Sequence, residues 1–267
     1  MSISLSRRQF IGMSATLTSA LGLTACGSTT TPTNAGSATT AFPKSYIIAT
    51  DTTFAPFEYT DENGNFVGID VDLLAAIAKN QGFEYELQSL GFDAAMAAVE
   101  SNQADAIIAG MSITEKRKED YDFSDPYYDA GVCCASKDGG DYPSLESLKG
   151  TTVAAKTATN GANWAESIKD QYQFTITYFD DSSLMYQDVL TGNSTACFED
   201  FPVMSYNVQQ GNGLQIIAKD EEEFFTPYGF AVLKGQNPEL LAAFNAGLAA
   251  LRESDEYDTI INTYLKG

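Results

Sequence analysis

Short apolar runs alternate with amphipathic stretches along almost the whole chain, and this alternation restricts the fold more than any single motif does. Residues 46–50, 83–87, 104–109, 132–135, 151–155, 175–179, 196–198, 214–218 and 228–233 read as strands, each apolar and bounded by polar or glycine positions. Between them lie stretches with helical spacing of apolar residues, over 92–100, to about 169, 183–190, 201–210 and 238–251, with a last helix running to Gly267. Strands and helices in strict turn argue for α/β layers with mostly parallel sheets. Ligands of such sheets bind beyond the carboxyl ends of the strands. The residues just after each strand therefore matter most.

The stretch after residues 104–109 is the most informative. Gly110 ends the strand and lets backbone come close to a partner. Thr114 is a good N-cap, residues 115–119 are helix formers, and Arg117 falls in the first turn. Free amides at a helix start attract an anion, and a guanidinium holds a carboxylate through two parallel hydrogen bonds. Taken alone, Arg117 also fits a surface residue of the charged run EKRKED. Its company decides: Asp51, Ser112, Lys156, Thr159 and Asp200 also stand just after expected strands. Arg117, Ser112 and the helix start suit an α-carboxylate, and Asp200 suits an α-ammonium, so the set fits a zwitterion.

Around these residues the local signals are ordinary. Residues 51–59 form an aromatic loop with a proline, in which Phe54 is expected to line a cleft and Phe57 to be core. Residues 61–65 read as a hairpin turn. Asp70 is expected to cap a helix that carries Val71, Leu74 and Ile77 on one face and ends before Gly82. Asn237 and Pro238 read as the N-cap and first position of a late helix. A helix–turn–strand pattern at 92–106 recurs at 184–198, which suggests two similar halves with facing strand ends.

Composition removes several classes of function. The formal net charge is −21, with no histidine. So acidic a body does not suit nucleic acid or an anionic membrane surface, and imidazole catalysis and histidine-ligated metal sites are excluded. Arg7 and Arg8 open an apolar run ending in Leu23-Thr24-Ala25-Cys26, which reads as an export signal over 1–25 followed by a lipidated cysteine. Residues 27–44 are rich in Ser, Thr, Ala and Gly and read as a flexible tether, with a reach of roughly 60 Å at about 3.4 Å per residue. Cys133, Cys134 and Cys197 have no zinc spacing; one disulfide to Cys197 or three buried thiols remain open.

Four ordered motifs, ATDTTFAPFEY, GIDVDLLAAIAK, AGMSITEKRKEDYDFSDPYY and SLKGTTVAAKTATNG, resemble the polar amino-acid-binding proteins of bacterial ABC importers. The similarity spans about residues 45–267. It implies a two-lobed, type II periplasmic binding fold, with two mixed sheets flanked by helices. One lobe would be 45–127 plus 229–267 and the other 132–223, joined by hinge strands at 128–131 and 224–228. It further implies that Arg117 holds a ligand carboxylate with Ser112, Gly110 and Thr159, and that Asp200 takes the amino group. Phe54 and Phe92 would sandwich the ligand, and Asp51 and Lys156 would face its side chain. Ala158 stands where the family has glycine, and Glu199 where its glutamine binders tend to carry histidine. The partners implied are a free amino acid, permease subunits and, through Cys26, the outer face of the cytoplasmic membrane. The protein is expected to act as a monomer, without a cofactor or metal. A side-chain amide would satisfy Asp51 and Lys156 together, which favours glutamine; if Glu199 also faces the pocket, arginine or lysine is the alternative. Some relatives of the fold are dehydratases. Glu199 and Asp200 make a poor catalytic pair, because consecutive strand residues point to opposite faces.

Overall fold

A computed structural model describes residue 42, residues 45–220 and residues 222–265. The export signal, Cys26 and all of the tether but Phe42 lie outside the described residues. In chain order, the first lobe opens with β1 (Tyr46–Thr50) and a small hairpin of β2 (Tyr59–Thr60) and β3 (Phe66–Val67). It continues with α1 (Ile69–Gln81), β4 (Tyr85–Ser89), α2 (Phe92–Glu100), β5 (Ala106–Ile107) and β6 (Tyr121–Phe123). The second lobe holds β7 (Val132–Lys137), β8 (Thr152–Lys156), α3 (Asn160–Tyr172), β9 (Thr175–Phe179), α4 (Ser182–Leu190), β10 (Ala196–Asp200), α5 (Phe201–Gln209) and β11 (Leu214–Asp220). The chain then returns through β12 (Ala231–Leu233), α6 (Pro238–Glu253) and α7 (Glu256–Leu265) to the first lobe.

The first sheet runs β4-β1-β5-β12-β6 and the second β11-β7-β10-β8-β9. In the first, β4, β1 and β5 are parallel, while β12 and β6 are antiparallel to their neighbours. In the second, β10, β8 and β9 are parallel, and β7 and β11 run against them. Both sheets are therefore mixed. Each is covered on two faces, so its central strands are apolar throughout and not alternating. Tyr46, Ile48, Ile108 and Phe230 meet α1 and α6 on one face, while Ala49, Ile107 and Ala231 meet α2 on the other. In the second lobe Val153 and Phe198 pack with Trp164 of α3, and Ala154 and Cys197 with Met185 and Val189 of α4. Cys133 and Cys134 point to opposite faces of β7, and both are free and buried, as is Cys197. The buried-thiol alternative is the one realised.

Two antiparallel chain segments cross between the lobes. Tyr228 N–H donates to the Tyr128 carbonyl at 2.7 Å, and Thr226 N–H to Ala130 at 2.8 Å.

Several local expectations change. Asp70 is not a helix cap: the N-cap is Gly68, and Asp70 is drawn fully into the interior by hydrogen bonds from Gly110 and Tyr127. The expected helix over 115–119 is a single 3-10 turn, Arg117–Glu119. The Arg117 amide is taken by Thr114 Oγ1 at 3.2 Å and the Lys118 amide by the Thr114 carbonyl at 3.0 Å. Those two amides are thus spent within the turn and do not form an anion site. Asn237 is the N-cap and Pro238 the first position of α6, as expected, but Asn237 sits at a left-handed φ of 44° and its side chain donates to the Asp105 carbonyl at 3.0 Å and makes no cap bond. The strand at 104–109 narrows to two ladder residues, although Asp105 and Ile108 still donate to Ile47 and Ala49 of β1. β6 was not expected, because Tyr121–Phe123 is too short and polar at its flanks to stand out.

The two halves do share a grammar. α2 and α4 are both nine residues long, each is followed by a left-handed residue (Asn102, Gly192), and each leads into a buried strand. In this register Gly110 and Asp200 occupy matching strand ends, one on each side of the cleft.

Candidate functional site

The carboxyl ends of β1, β5, β8 and β10 converge on one small cavity. Its walls are Asp51, Phe54, Phe92, Ala109, Gly110, Ser112, Arg117, Lys156, Thr159, Asn160 and Asp200. All nine residues singled out from the sequence as ligand-facing line it. Ala109 and Asn160 were not singled out, although each is the chain neighbour of one that was.

Two cations lie over two aromatic rings. The Arg117 guanidinium stands 5.1 Å from the centre of Phe92, and Lys156 Nζ 5.4 Å from the centre of Phe54. Both contacts fall within cation–π range. Arg117 crosses the cleft: Nη1 donates to the Ser112 carbonyl at 2.8 Å, and Nη2 to the Ala158 carbonyl of the other lobe at 2.9 Å. Burial of the guanidinium pulls its pKa down to about 10, with Asp200 opposing, so it stays charged at neutral pH. Lys156 also crosses, donating to Asp51 Oδ2; each of these residues is 1% exposed. A pair so buried is held by its Coulomb attraction in a medium of low polarity, and leaving either partner alone is costly.

Asp200 is the acid with spare capacity. Its Oδ2 accepts from the Tyr228 hydroxyl at 2.6 Å, while Oδ1 is buried without a partner. Burial first, then neighbouring Glu199, pushes its pKa up to about 7, against the pull of Tyr228, Arg117 and Lys156. Glu199 faces away, as the alternation along β10 requires. It accepts from Ser182 at 3.0 Å and Tyr186 at 2.8 Å and does not line the cavity.

Backbone geometry sets the remaining walls. Gly110 has φ 52°, and a Cβ there would come within 2.3 Å of the Phe54 ring. Its amide donates to Asp70 at 2.8 Å. Thr159 caps α3, accepting from Ala162 at 3.2 Å and donating to the Lys156 carbonyl at 2.8 Å. Ala158 takes a left-handed backbone at φ 62°. A non-glycine residue there costs about 1–2 kcal/mol, and the Arg117 bond to its carbonyl helps to offset it. Asn160 ties the start of α3 to the returning crossing segment, donating to Phe224 and Thr226 at 3.2 and 3.0 Å. The cleft is closed by further bonds outside the cavity, from Thr53 to Asp181 at 2.9 Å and from Asn207 to the Ala55 carbonyl at 3.3 Å. Tyr228, Thr53 and Asp181 carry no sequence signal of their own; only the closed geometry brings them to the cleft.

Two mixed α/β lobes, joined by two crossing segments and closed over a polar cavity, define a type II periplasmic binding fold. The chain belongs to the bacterial extracellular solute-binding proteins, family 3, whose sequence profile matches residues 46–267. An arginine-binding extracellular protein of Bacillus subtilis is 31% identical over 92% of this chain and 93% of its own length. An ancestral arginine-binding protein, solved with arginine and again with glutamine, is 36% identical with a TM-score of 0.75 in each case. The alignments cover 83% and 84% of this chain and 98% of the ancestral one. Substrate-binding domain 2 of Lactococcus lactis GlnP, solved in an open conformation, is 42% identical over 85% of this chain and 98% of that one, with a TM-score of 0.58. The lower score at the higher identity accords with the closed cleft of the present chain.

Proposed function

We propose that this cavity captures a free polar amino acid, glutamine before others, and that the chain delivers it to an ABC importer. Arg117 receives the α-carboxylate, with Gly110, Ser112 and Thr159 around it, and Asp200 Oδ1 receives the α-ammonium. Phe54 and Phe92 hold the ligand between them. The observation that carries the choice of glutamine is the Asp51–Lys156 pair, buried in the cavity wall with one member from each lobe. A side-chain amide can enter that pair, donating its NH₂ to Asp51 and accepting from Lys156 on its carbonyl. Arginine or lysine would set a second cation against Lys156, and glutamate a second anion against Asp51. Glu199, whose presence in the cavity would favour a cationic ligand, is engaged by Ser182 and Tyr186.

Thermal-shift measurement with each common amino acid, followed by calorimetry on those that respond, tests this reading. The largest shift is expected with glutamine. A strong response to arginine or lysine with none to glutamine would replace it with the specificity named for the Bacillus relative.

Lobes of 45–127 plus 229–267 and of 132–223 make 128–131 and 224–228 the hinge, supported by the paired crossings at Tyr128 and Tyr228. Scattering profiles unchanged by saturating glutamine would count against hinge closure. Export and lipidation at Cys26 complete the proposal, because a tethered receptor stays near its permease. One acyl chain anchors only marginally, so two or more are required. Cys26→Ala protein is expected in the soluble fraction after signal removal, and its persistence on membranes would place the anchor elsewhere.

A further inference from the structure

A second acidic pair lies behind the cavity wall. Glu58 and Asp70 are both fully buried on adjoining stretches of backbone, the Asp70 amide donating to the Phe57 carbonyl at 2.9 Å. Ionised carboxyls only accept hydrogen bonds, so a bond between two of them requires a proton on one. Both oxygens of Glu58, and Oδ1 of Asp70, are buried without a hydrogen-bond partner. The remaining oxygen, Asp70 Oδ2, accepts from the Gly110 amide and from the Tyr127 hydroxyl, each at 2.8 Å. Asp70 therefore grips the cavity wall on one side and a crossing segment on the other.

The charged and titratable surroundings favour that proton. From the end of β1, Asp51 adds negative charge; from the end of β8, Lys156 opposes it, but Lys156 is already paired with Asp51. Tyr127 faces the pair from the crossing segment, and its hydroxyl donates to Asp70. Among the described residues no arginine or lysine forms an ion pair with Glu58 or Asp70.

We propose that Glu58 is a positioning residue for ligand binding: it carries a proton, donates it to Asp70, and so holds the Gly110 peptide in place at the cavity wall. The proposal rests on the amino-acid-binding role of that cavity. Burial raises both carboxyls, and the pair titrates as a unit. When its last proton leaves, two adjacent carboxylates repel in a medium that screens them poorly. Asp70 then no longer fixes Gly110, and Gly110 cannot be re-seated freely because it packs against the Phe54 ring. Ligand affinity should fall on the alkaline side, by at most about tenfold per pH unit above the pair's upper pKa.

The test compares the full chain with its Glu58→Gln and Glu58→Leu variants. Gln keeps a neutral donor toward Asp70, whereas Leu removes it. Without ligand, infrared spectra at neutral pH should show a protonated-carboxyl C=O stretch in the parent that Glu58→Gln loses. Exchange of the Gly110 amide, followed by NMR, should be slow in the parent and in Glu58→Gln and fast in Glu58→Leu. With glutamine as the probe, Glu58→Leu should bind about tenfold or more weakly at neutral pH. Glu58→Gln should recover most of that loss and lack the alkaline decline of the parent. Absence of the infrared band, or equal Gly110 exchange in all three proteins, overturns the proposal whether or not glutamine binds. Failure of glutamine to bind any of them, with the ligand-free results as expected, rejects only the choice of ligand.

Discussion

Acidification from about pH 8 to about pH 5 should weaken amino-acid binding by up to about a hundredfold, and Asp200 sets that magnitude. Burial and Glu199 lift its carboxyl from an ordinary 3.8 to about 7 in the closed cleft. An α-ammonium at its unpartnered Oδ1 would require the ionised form and would drive the bound-state pKa back down. Below the free-state pKa, each binding event must therefore expel a proton, which costs about 1.4 kcal/mol per pH unit. Two units below about 7, the penalty is about 2.7 kcal/mol, or about a hundredfold in Kd. Opening the lobes admits water and lowers the free-state pKa, so the acid limb lies at or below about pH 7.

The assay is calorimetry across that pH range in buffers of different ionisation enthalpy, which counts released protons directly. Nearly one proton should be released per glutamine in the weakened range and none at about pH 8. Asp200→Asn should bind weakly, by about 3–5 kcal/mol as a broken buried charge pair, and should lose the acid limb. A parent protein with flat affinity and no proton release, or an Asn variant that keeps the limb, would show that Asp200 does not face the ammonium.

Arg117→Ala should cost about 3–5 kcal/mol in binding, a hundredfold to several thousandfold in Kd, whereas exposed Lys116→Ala should change it little; equal calorimetric losses would deny Arg117 a special role. The ligand-free protein should become more stable as pH falls from about 7 toward about 4.5. Glu58, Asp70, Glu199 and Asp200 all have raised pKa values in the fold, so the folded state binds protons that the unfolded chain has released, and their favourable contribution is lost as pH rises through the folded values. The exposed acids with lowered values, Asp61, Glu146 and Glu166, act in the opposite sense, but only below the ordinary carboxyl range. Thermal midpoints that stay level or drop across that window would contradict this sum.

Strand ends were legible in the sequence because both determinants are local. An apolar run of about five residues is a strand wherever both faces are covered, and the chain must turn once the run is over. Asp51, Gly110, Lys156 and Asp200 could thus be placed without knowing the sheet order. Asp70 was misplaced for the converse reason. An acid before a helical run is the usual N-cap, and nothing within reach in sequence shows that Gly110 and Tyr127, 40 and 57 residues away, offer it hydrogen bonds inside the lobe. Glu58 is silent in the same way: the partner we propose for it is another acid, a pairing that charge patterns argue against and that only a buried proton permits. The 3-10 turn at Arg117 was misread because helix formers state a preference over several residues, whereas Thr114 closes the turn after one.

The closed cleft also limits where the energy of closure can come from. Arg117 reaches the Ala158 carbonyl, Lys156 reaches Asp51, and Thr53 reaches Asp181, so these groups gain partners across the gap. Asp200 Oδ1 gains none and is sealed from water, which costs about 1–3 kcal/mol or more for a charged oxygen. Protonating Asp200 relieves part of that cost in the empty state, and an incoming ammonium relieves all of it while restoring the charge. A ligand lacking the α-ammonium, such as the α-keto analogue of glutamine, would fill the same space and still meet Arg117, yet leave Oδ1 orphaned. It should therefore bind weakly and fail to hold the lobes together, because a ligand shifts a conformational equilibrium only by the difference in its affinity for the two states.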